Sequence, residues 1–435
     1  GERTLFVLCL LLTASAAAGF YAVTLNPSNP QQLQNPLLWR SQLVNIAGYY
    51  LALFPFYFCT GSFLGMCFLL RQDRIARLYA ADLVGAGIGA GIILLLMFVM
   101  HPFQLACAVP VFLFAASLVH LPKGRARRYG ALAGSVAVLL VSVGGLAAFN
   151  RADFSEFKPV YPVLHVEGNQ VFDEVRSPRG YYLFLDNFTE RRDLPLSNNS
   201  ALLGLGDPPR DPGLYKDGYR LTSILGPGTD TDFSYVEGAL SSLPYLVRKD
   251  PRVLLVGSGG GFRRPEVARL GAKRVTALES DPVVHRLVQS RCDDPIYRDD
   301  AYRHDSPQSH LARSGEQFDI IDISEDYLDA GQANKYAFTR QAIERYFRAL
   351  TPQGILSVPV SIREWTVYAD KTAATILAGL RAAGVERPGD HLVVCRNEWA
   401  ARYLVAKSPF APEDVAAFRD YCSKLSFDTP YFPGI

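Results

Sequence analysis

The 435-residue chain has little of what would mark a disulfide scaffold, a metalloprotein or a nucleic-acid binder. Of its seven cysteines no two stand at C-x-x-C spacing. Cys9, Cys59, Cys67 and Cys107 fall in apolar runs, and Cys292, Cys395 and Cys422 are scattered, so neither a disulfide framework nor a zinc site is indicated. The seven histidines form no ligand cluster, and no metal is expected. Charge of one sign is missing too. Lys plus Arg number 44 against 42 Asp plus Glu, for a net +2, and no basic stripe is interleaved with aromatics. Nucleic acid is therefore not an expected partner. The chain opens on Gly1 rather than Met, and residues or helices upstream are an expectation.

Apolar residues are plentiful, at 49%, and the surplus lies in the first third. Leu5 to Thr24, Ile46 to Leu70, Leu78 to Met100, Leu105 to Leu121 and Tyr129 to Phe149 are runs of spanning or near-spanning length joined by short polar links. Five transmembrane helices are expected over residues 1–150, with the lipid bilayer as partner. The first resembles a signal peptide at Ala14-Ser-Ala-Ala-Ala18, but four further spans favour an anchored bundle. Arg71, Arg74 and Arg77 precede the third span, and Lys123, Arg125, Arg127 and Arg128 precede the fifth, which puts both loops on the cytoplasmic side. The segment after Asn150 would then lie outside, whereas a cytoplasmic ligand would require it inside; both placements stay open. Within the third span, Asp82 precedes Gly85, Gly87, Gly89 and Gly91. The glycines allow close helix approach, and an intramembrane acid is expected to pair with a nearby base or to serve a function.

From 151 to 247 the texture changes to short alternating runs, at Val163 to Val166, Val171 to Val175, Tyr181 to Asp186 and Tyr219 to Leu225, which predict a small antiparallel domain. Ser197 to Gly218, rich in Gly, Pro and Asp, reads as a long loop, and Asp232 to Pro244 carries helical spacing.

The rest is organised around residues 251–285. An apolar run, Val253 to Val256, leads into Gly257-Ser-Gly-Gly-Gly261, then into a helix from about Arg264 to Leu270. A second strand, Arg274 to Leu278, ends on Glu279. Strand, tight glycine turn and helix open a βαβ unit, and an acid about 20 residues on accepts hydrogen bonds from ribose hydroxyls. The sixth position of the dinucleotide pattern is Phe262 rather than Gly or Ala, so a nucleoside without pyrophosphate fits better than NAD. Further on come a helix over Pro282 to Ser290, a turn at Asp305, and a buried strand Ile320 to Ile323 opening into a loop with Glu325, Asp326 and Asp329. An amphipathic helix, Phe338 to Leu350, with Phe338, Ile343, Phe347 and Leu350 on its apolar face, is ended by Thr351-Pro-Gln-Gly354. A strand, Ile355 to Val360, and a helix, Lys371 to Ala383, follow, and then a terminal strand pair, His391 to Cys395 with Arg402 to Ala406. Over residues 248–435 this alternation predicts a doubly wound Rossmann-like sheet closed by an antiparallel hairpin. Its ligand crevice lies at the carboxyl ends of the strands.

Gly257 to Gly261, Glu279-Ser-Asp-Pro, the Asp305 turn, Phe318-Asp-Ile-Ile-Asp and Leu350-Thr-Pro-Gln-Gly-Ile-Leu-Ser together resemble the class I S-adenosylmethionine-dependent transferase fold, and within it the spermidine synthase family. Leu183-Phe-Leu-Asp-Asn-Phe-Thr-Glu190 resembles that family's N-terminal β-domain. The whole chain is similar to bacterial membrane proteins that fuse a helical bundle to a spermidine-synthase-like domain, which implies the inner membrane. The resemblance implies a cofactor, S-adenosylmethionine or its decarboxylated form, held by Gly257, Ser258, Gly259, Gly261, Glu279 on the ribose, Asp305 near the adenine amino group, and Ser324. It implies an acceptor pocket with Tyr235, Glu237 and Tyr327. The family's Asp-x-x-Asp is not reproduced: aligned on Phe318-Asp319, its acids fall on Ser324 and Tyr327, with Glu325 and Asp326 between them. Its Tyr-His-Glu reads Tyr235-Val-Glu237. Glu325 and Asp326 remain as candidate bases for deprotonating an amine.

Two readings follow. One is a membrane-anchored transferase moving an aminopropyl or methyl group to a small amine acceptor. The other is a catalytically degenerate module that serves as a binding or assembly subunit of a membrane complex or homodimer.

Overall fold

A computed structural model describes residues 1–149, 153–186, 191–192, 194–226, 231–292, 297–327, 332–363 and 366–435. Asp329 and residues 187–190 of the β-domain motif lie outside them. The chain divides into two compact units, Gly1–Lys158 with Val175–Tyr181, and Pro159–Glu174 with Tyr182–Ile435.

The first unit is built on five helices, α1 (Glu2–Thr24), α2 (Trp39–Leu70), α3 (Ile75–Leu96), α4 (Ala108–Val119) and α5 (Arg125–Phe149). The five corresponding helical segments are long and apolar enough to cross a membrane. Helix α1 packs against α2, α4 and α5. Leu5, Cys9, Leu12, Ala16 and Gly19 form a stripe down one face of α1 and are buried. A Cβ on Gly19 would stand 2.8 Å from the Ala52 carbonyl oxygen of α2, so glycine sets the approach of these two helices. Helix α3 starts at Ile75 and buries none of its residues. Asp82 is exposed on it, and the expected basic partner is not seen: no ion pair is recorded for Asp82 among the described residues.

The second unit begins with a short helix, α6 (Val160–Leu164), where alternation predicted a strand at Val163 to Val166. Pro159 and Pro162 fix φ near its helical value, and Val160 and Val163 turn inward from the single turn. A four-stranded antiparallel sheet follows in the order β1 (Val171–Ser177), β2 (Gly180–Leu185), β3 (Gly213–Lys216) and β4 (Tyr219–Ser223). Strand β3 lies inside the stretch expected to be a loop. Asp217 and Gly218, at φ 51° and 82°, form the tight connection to β4. An Asp-Gly pair between strands is a strong hairpin signal, masked here by the Gly- and Pro-rich residues before it. Asp232 to Pro244 forms two 3-10 turns, Phe233–Gly238 and Leu240–Ser242, which run into α7 (Leu243–Leu246), rather than one continuous helix.

The larger sheet contains β5 (Arg252–Val256), β6 (Arg274–Glu279), β7 (Tyr302–His304), β8 (Phe318–Ile323), β9 (Leu350–Ser361), β10 (Leu392–Arg396), β11 (Ala400–Ala406) and β12 (Asp428–Tyr431). Its order is β12-β10-β11-β9-β8-β5-β6-β7. Strands β7, β6, β5, β8 and β9 are parallel, while β11, β10 and β12 add antiparallel. Val253 to Val256 are fully buried in the middle, as a strand covered on both faces requires. The intervening helices are α8 (Arg263–Arg269), α9 (Pro282–Arg291), α10 (Pro307–Ser314), α11 (Arg340–Ala349), α12 (Val367–Ala382) and α13 (Pro412–Lys424). This is a doubly wound, Rossmann-like architecture. After β7 the chain crosses to the other side of β5, which leaves a topological switch point between β5 and β8.

Two details of this sheet depart from expectation. Strand β9 starts at Leu350, so Thr351-Pro-Gln-Gly354 is drawn into extended chain instead of forming a stop. Thr351 Oγ1 donates to Asp319 Oδ1 at 2.8 Å, and Asp319 Oδ2 accepts from the Arg252 amide at 2.9 Å, so Asp319 ties together the starts of β5, β8 and β9. Finally, the strand pair is not terminal: α13 and β12 follow, and β12 covers β10.

Helices α11 and α12 meet at Gly379, where a Cβ would stand 2.7 Å from Ile343 Cβ and 3.1 Å from the Arg340 carbonyl oxygen. Gly379→Val is expected to destabilise the second unit by about 1–3 kcal/mol, the cost of overpacking. Thermal denaturation of the solubilised chain checks this, and an unchanged midpoint would contradict the packing.

Candidate functional site

The site is the glycine loop that joins β5 to α8 at the switch point. Gly257, Gly259, Gly260 and Gly261 all have positive φ, at 94°, 52°, 63° and 96°. Close approach is strictest at Gly260, where a Cβ would fall 1.6 Å from the Ser223 carbonyl oxygen. The Leu225 amide donates to the Gly260 carbonyl at 2.9 Å, so the end of β4 is seated on this loop. At Gly259 the space a side chain would need is taken by the guanidinium of Arg192, 2.9 Å away at Nη2, and at Gly257 by Tyr327 and Ser324, 3.0 Å and 3.1 Å away. Part of the demand for glycine thus comes from the chain's own packing. The Gly259 and Gly260 amides, although buried, have no acceptor recorded among the described residues, so the loop keeps two donors that a ligand can use.

Glu279 stands at the end of β6, next to the loop, and is 5% exposed. Its Oε2 accepts from the Ser258 hydroxyl at 2.9 Å and the Ser258 amide at 3.3 Å, and its Oε1 accepts from the Asp281 amide at 3.0 Å. Burial pushes its carboxyl up to about 7, against those hydrogen bonds, with the charge of Asp326 adding to the rise. The Asp305 amide, just past β7, donates to the Glu279 carbonyl at 3.1 Å. The Asp305 side chain accepts from the Ser306 amide at 2.9 Å and pairs with Arg313. Asp281 caps α9 by accepting from the Val283 amide and holds Tyr182 Oη at 2.7 Å, which fixes the smaller sheet against this edge.

Past β8, Ser324 donates its hydroxyl to Asp326 Oδ1 at 2.5 Å, and its amide bonds the Val256 carbonyl at 2.9 Å. Tyr327 is buried, and its hydroxyl receives that of Ser280 at 3.3 Å. Burial raises the Tyr327 phenol to about 12. Glu325 turns the other way and pairs with Arg402. Burial pushes its carboxyl up, but Arg402 and Arg263 outweigh that and hold it below the usual carboxylate range.

Glu325 is one end of a buried ionic cluster. Arg402 Nη1 also donates to Asp322 Oδ1 at 2.8 Å and Ser357 Oγ at 2.5 Å. Arg263 joins Asp322 to Glu266, the latter at 2.7 Å, and Glu266 accepts from the Tyr235 hydroxyl at 2.9 Å and forms an ion pair with Arg192, whose Nε lies 2.9 Å away. The Tyr245 hydroxyl donates to Asp322 Oδ2 at 2.9 Å. Arg192 closes the circuit by donating to the Gly259 carbonyl at 2.7 Å while lying 4.6 Å from the centre of the Phe262 ring.

The structure therefore gathers Gly257, Ser258, Gly259, Gly261, Glu279, Asp305, Ser324, Asp326 and Tyr327 along the carboxyl ends of β5 to β8. It does not bring Glu237 there. That carboxylate pairs with Arg269, in the last turn of α8, at 2.7 Å. Tyr235 points into the ionic cluster, where burial and the neighbouring Glu266 raise its phenol, and does not line an open crevice. Glu325 belongs to the cluster as well. Sequence reasoning missed Arg192, Arg263, Glu266, Asp322 and Arg402. The available signals were Asp322 inside an apolar strand run and Arg402 in another, since buried charges are rarely left unpaired.

No protein-family model and no curated protein matches the chain. Among solved structures it is similar to the spermidine synthase of Thermotoga maritima, at 15% identity over 60% of this chain and 81% of that one, with a TM-score of 0.38. It is similar to a probable spermidine synthase of Corynebacterium glutamicum at 11% identity, over 60% of this chain and 90% of that one, with a TM-score of 0.38. The human methyltransferase-like protein 13 in complex with SAH matches at 14% identity over 42% and 88%, with a TM-score of 0.30.

The raised Glu279 carboxyl has a consequence for stability. Between its ordinary value of 4.5 and about 7 the folded state holds more protons than the unfolded one, so stability falls as pH rises through that window and levels off above it. The full effect is about 3 kcal/mol. Glu279→Gln is expected to flatten that decline, measured by denaturant unfolding at successive pH values. A decline of the same size in the variant would contradict the assignment.

Proposed function

We propose that the second unit binds S-adenosylmethionine or its decarboxylated form and transfers an alkyl group, methyl or aminopropyl, to an amine, in a protein that the helical bundle anchors in a membrane. The observation that carries this reading is Glu279, a buried carboxylate set at the end of β6 against Ser258, the first residue after the loop glycine Gly257. A nucleoside laid along the strand ends would meet Asp305 at its base, Glu279 at its ribose and the Gly259 and Gly260 amides beyond. The donor set suits such a ligand: the carboxylate accepts from hydroxyls and the free amides donate.

When bound, this cofactor supplies a carbon already activated by its sulfonium. The protein then has to hold an amine nitrogen in line with that carbon and take its proton. An amine nitrogen held there would take up that carbon with the thioether as leaving group, and its proton would pass to a carboxylate. Of the two candidate bases, Asp326 suits the task better. Glu325 is committed to Arg402 and held in its charged form, whereas Asp326 is half-buried on the rim and takes its recorded hydrogen bond from Ser324. Tyr327 and Ser324 would line the acceptor side.

A second reading has its own observation. Arg192 and Tyr327 lie against the loop glycines from within the fold, as a module kept for binding or assembly would allow.

Equilibrium calorimetry on the full chain separates the two. The transferase reading expects at least one of the cofactors to bind, and Glu279→Ala to weaken it about 10- to 100-fold, the scale of hydrogen bonds to a charged acceptor. No binding of either by the wild-type chain would leave the assembly module as the surviving account.

A further inference from the structure

We propose that Arg192 makes the site selective for the carboxylate-bearing cofactor, S-adenosylmethionine, over its decarboxylated form, so that the group transferred is not the aminopropyl group. This rests on the reading just given and narrows it.

The direction of the ligand follows from strand order. Asp305 follows β7, Glu279 ends β6, the glycine loop follows β5 and Ser324 to Tyr327 follow β8, and these four strands are neighbours in that order. A nucleoside with its base at Asp305 and its ribose at Glu279 must send its 5′ substituent toward β5 and β8. Beside the loop at that end lies the buried Arg192 guanidinium, 2.9 Å from where a Cβ of Gly259 would stand and donating to the Gly259 carbonyl.

The guanidinium is fixed there. Its side chain is 6% exposed, Nε and Nη2 face Glu266 at 2.9 Å and 3.4 Å, and the plane lies over Phe262. A guanidinium has more N–H donors than these acceptors use, in a planar fork that suits a carboxylate. Glu266 is itself shared with Arg263, so it does not neutralise Arg192 alone.

The two cofactors differ in the group this position reads. S-adenosylmethionine carries a sulfonium, an ammonium and a carboxylate; the decarboxylated form keeps both cations and has no anion. Against Arg192 the first places an anion and the second places like charge in a site of low dielectric. Such a mismatch discriminates by repulsion as well as by lost attraction. The ammonium is common to both and does not distinguish them.

Calorimetry on the full chain with S-adenosylmethionine, its decarboxylated form and 5′-methylthioadenosine tests this, the last having the same nucleoside with a neutral thioether in place of the sulfonium and no amino-acid end. The wild-type chain is expected to bind S-adenosylmethionine about 10-fold or more tighter than the decarboxylated form, the scale of one charge-assisted hydrogen bond. Arg192→Gln should abolish that preference, weakening S-adenosylmethionine more than 5′-methylthioadenosine, while Arg192→Lys, which keeps the charge, should retain part of it. Equal or tighter binding of the decarboxylated form by the wild-type chain overturns the proposal while leaving the transferase reading intact. Equal weakening of all three ligands by Arg192→Gln overturns it too, by showing a structural role. Binding of none of the three by the wild-type chain ends both.

Discussion

Burying Arg263, Asp322 and Glu266 together is the constraint on which the second unit depends. All three side chains are fully buried, and each charge is matched by another in the same cluster. An ion taken out of water costs several kcal/mol, and an unpaired one left behind costs more than the pair returns, so removing one member costs about 3–5 kcal/mol. The cluster therefore holds its members in place as a group. They come from α8, β8, β9 through Ser357, β11 through Arg402, α7 through Tyr245, the turn at Tyr235 and the segment at Arg192.

That arrangement gives the glycine loop its shape. Arg263 follows the loop directly, and Arg192 returns to it through Gly259, so both ends of the turn are fixed by the same set of charges. On the other side, Ser223 and Leu225 press on Gly260. The loop is tied at Gly259 and Gly260 by the chain's own contacts, and a preorganised site loses less freedom on binding than a floppy one. The same cluster removes Glu325 from the crevice and leaves Asp326 on its rim. A neighbouring pair of acids that looks interchangeable in sequence is thus divided into a structural member and a half-buried one outside the cluster.

What could be read from sequence follows a physical line. The strand–glycine–helix opening, Glu279 at the end of the next strand and the parallel order through β9 depend on residues close together in the chain, and period and turn chemistry report them directly. The five apolar helices are legible for the same reason. The ionic cluster joins residues as far apart as Arg192 and Arg402, and no local pattern marks a pairing of that range. Strand β12 is short and half exposed, with little alternation to signal it, and β3 is hidden by the Gly- and Pro-rich residues in front of it. Glu237 was placed by likeness to a motif whose middle residue is absent, and its partner Arg269, in the last turn of α8, draws it away.

The central claim is that a nucleoside lies along the carboxyl ends of β7, β6 and β5, between Asp305, Glu279 and the glycine loop. Hydrogen–deuterium exchange on the full chain, with and without saturating S-adenosylhomocysteine, tests it most directly. The account predicts slowed exchange confined to amides 258–261, 279–281 and 305–306, with α1 to α5 unaffected. Exchange at those amides that is the same with and without the ligand would contradict it.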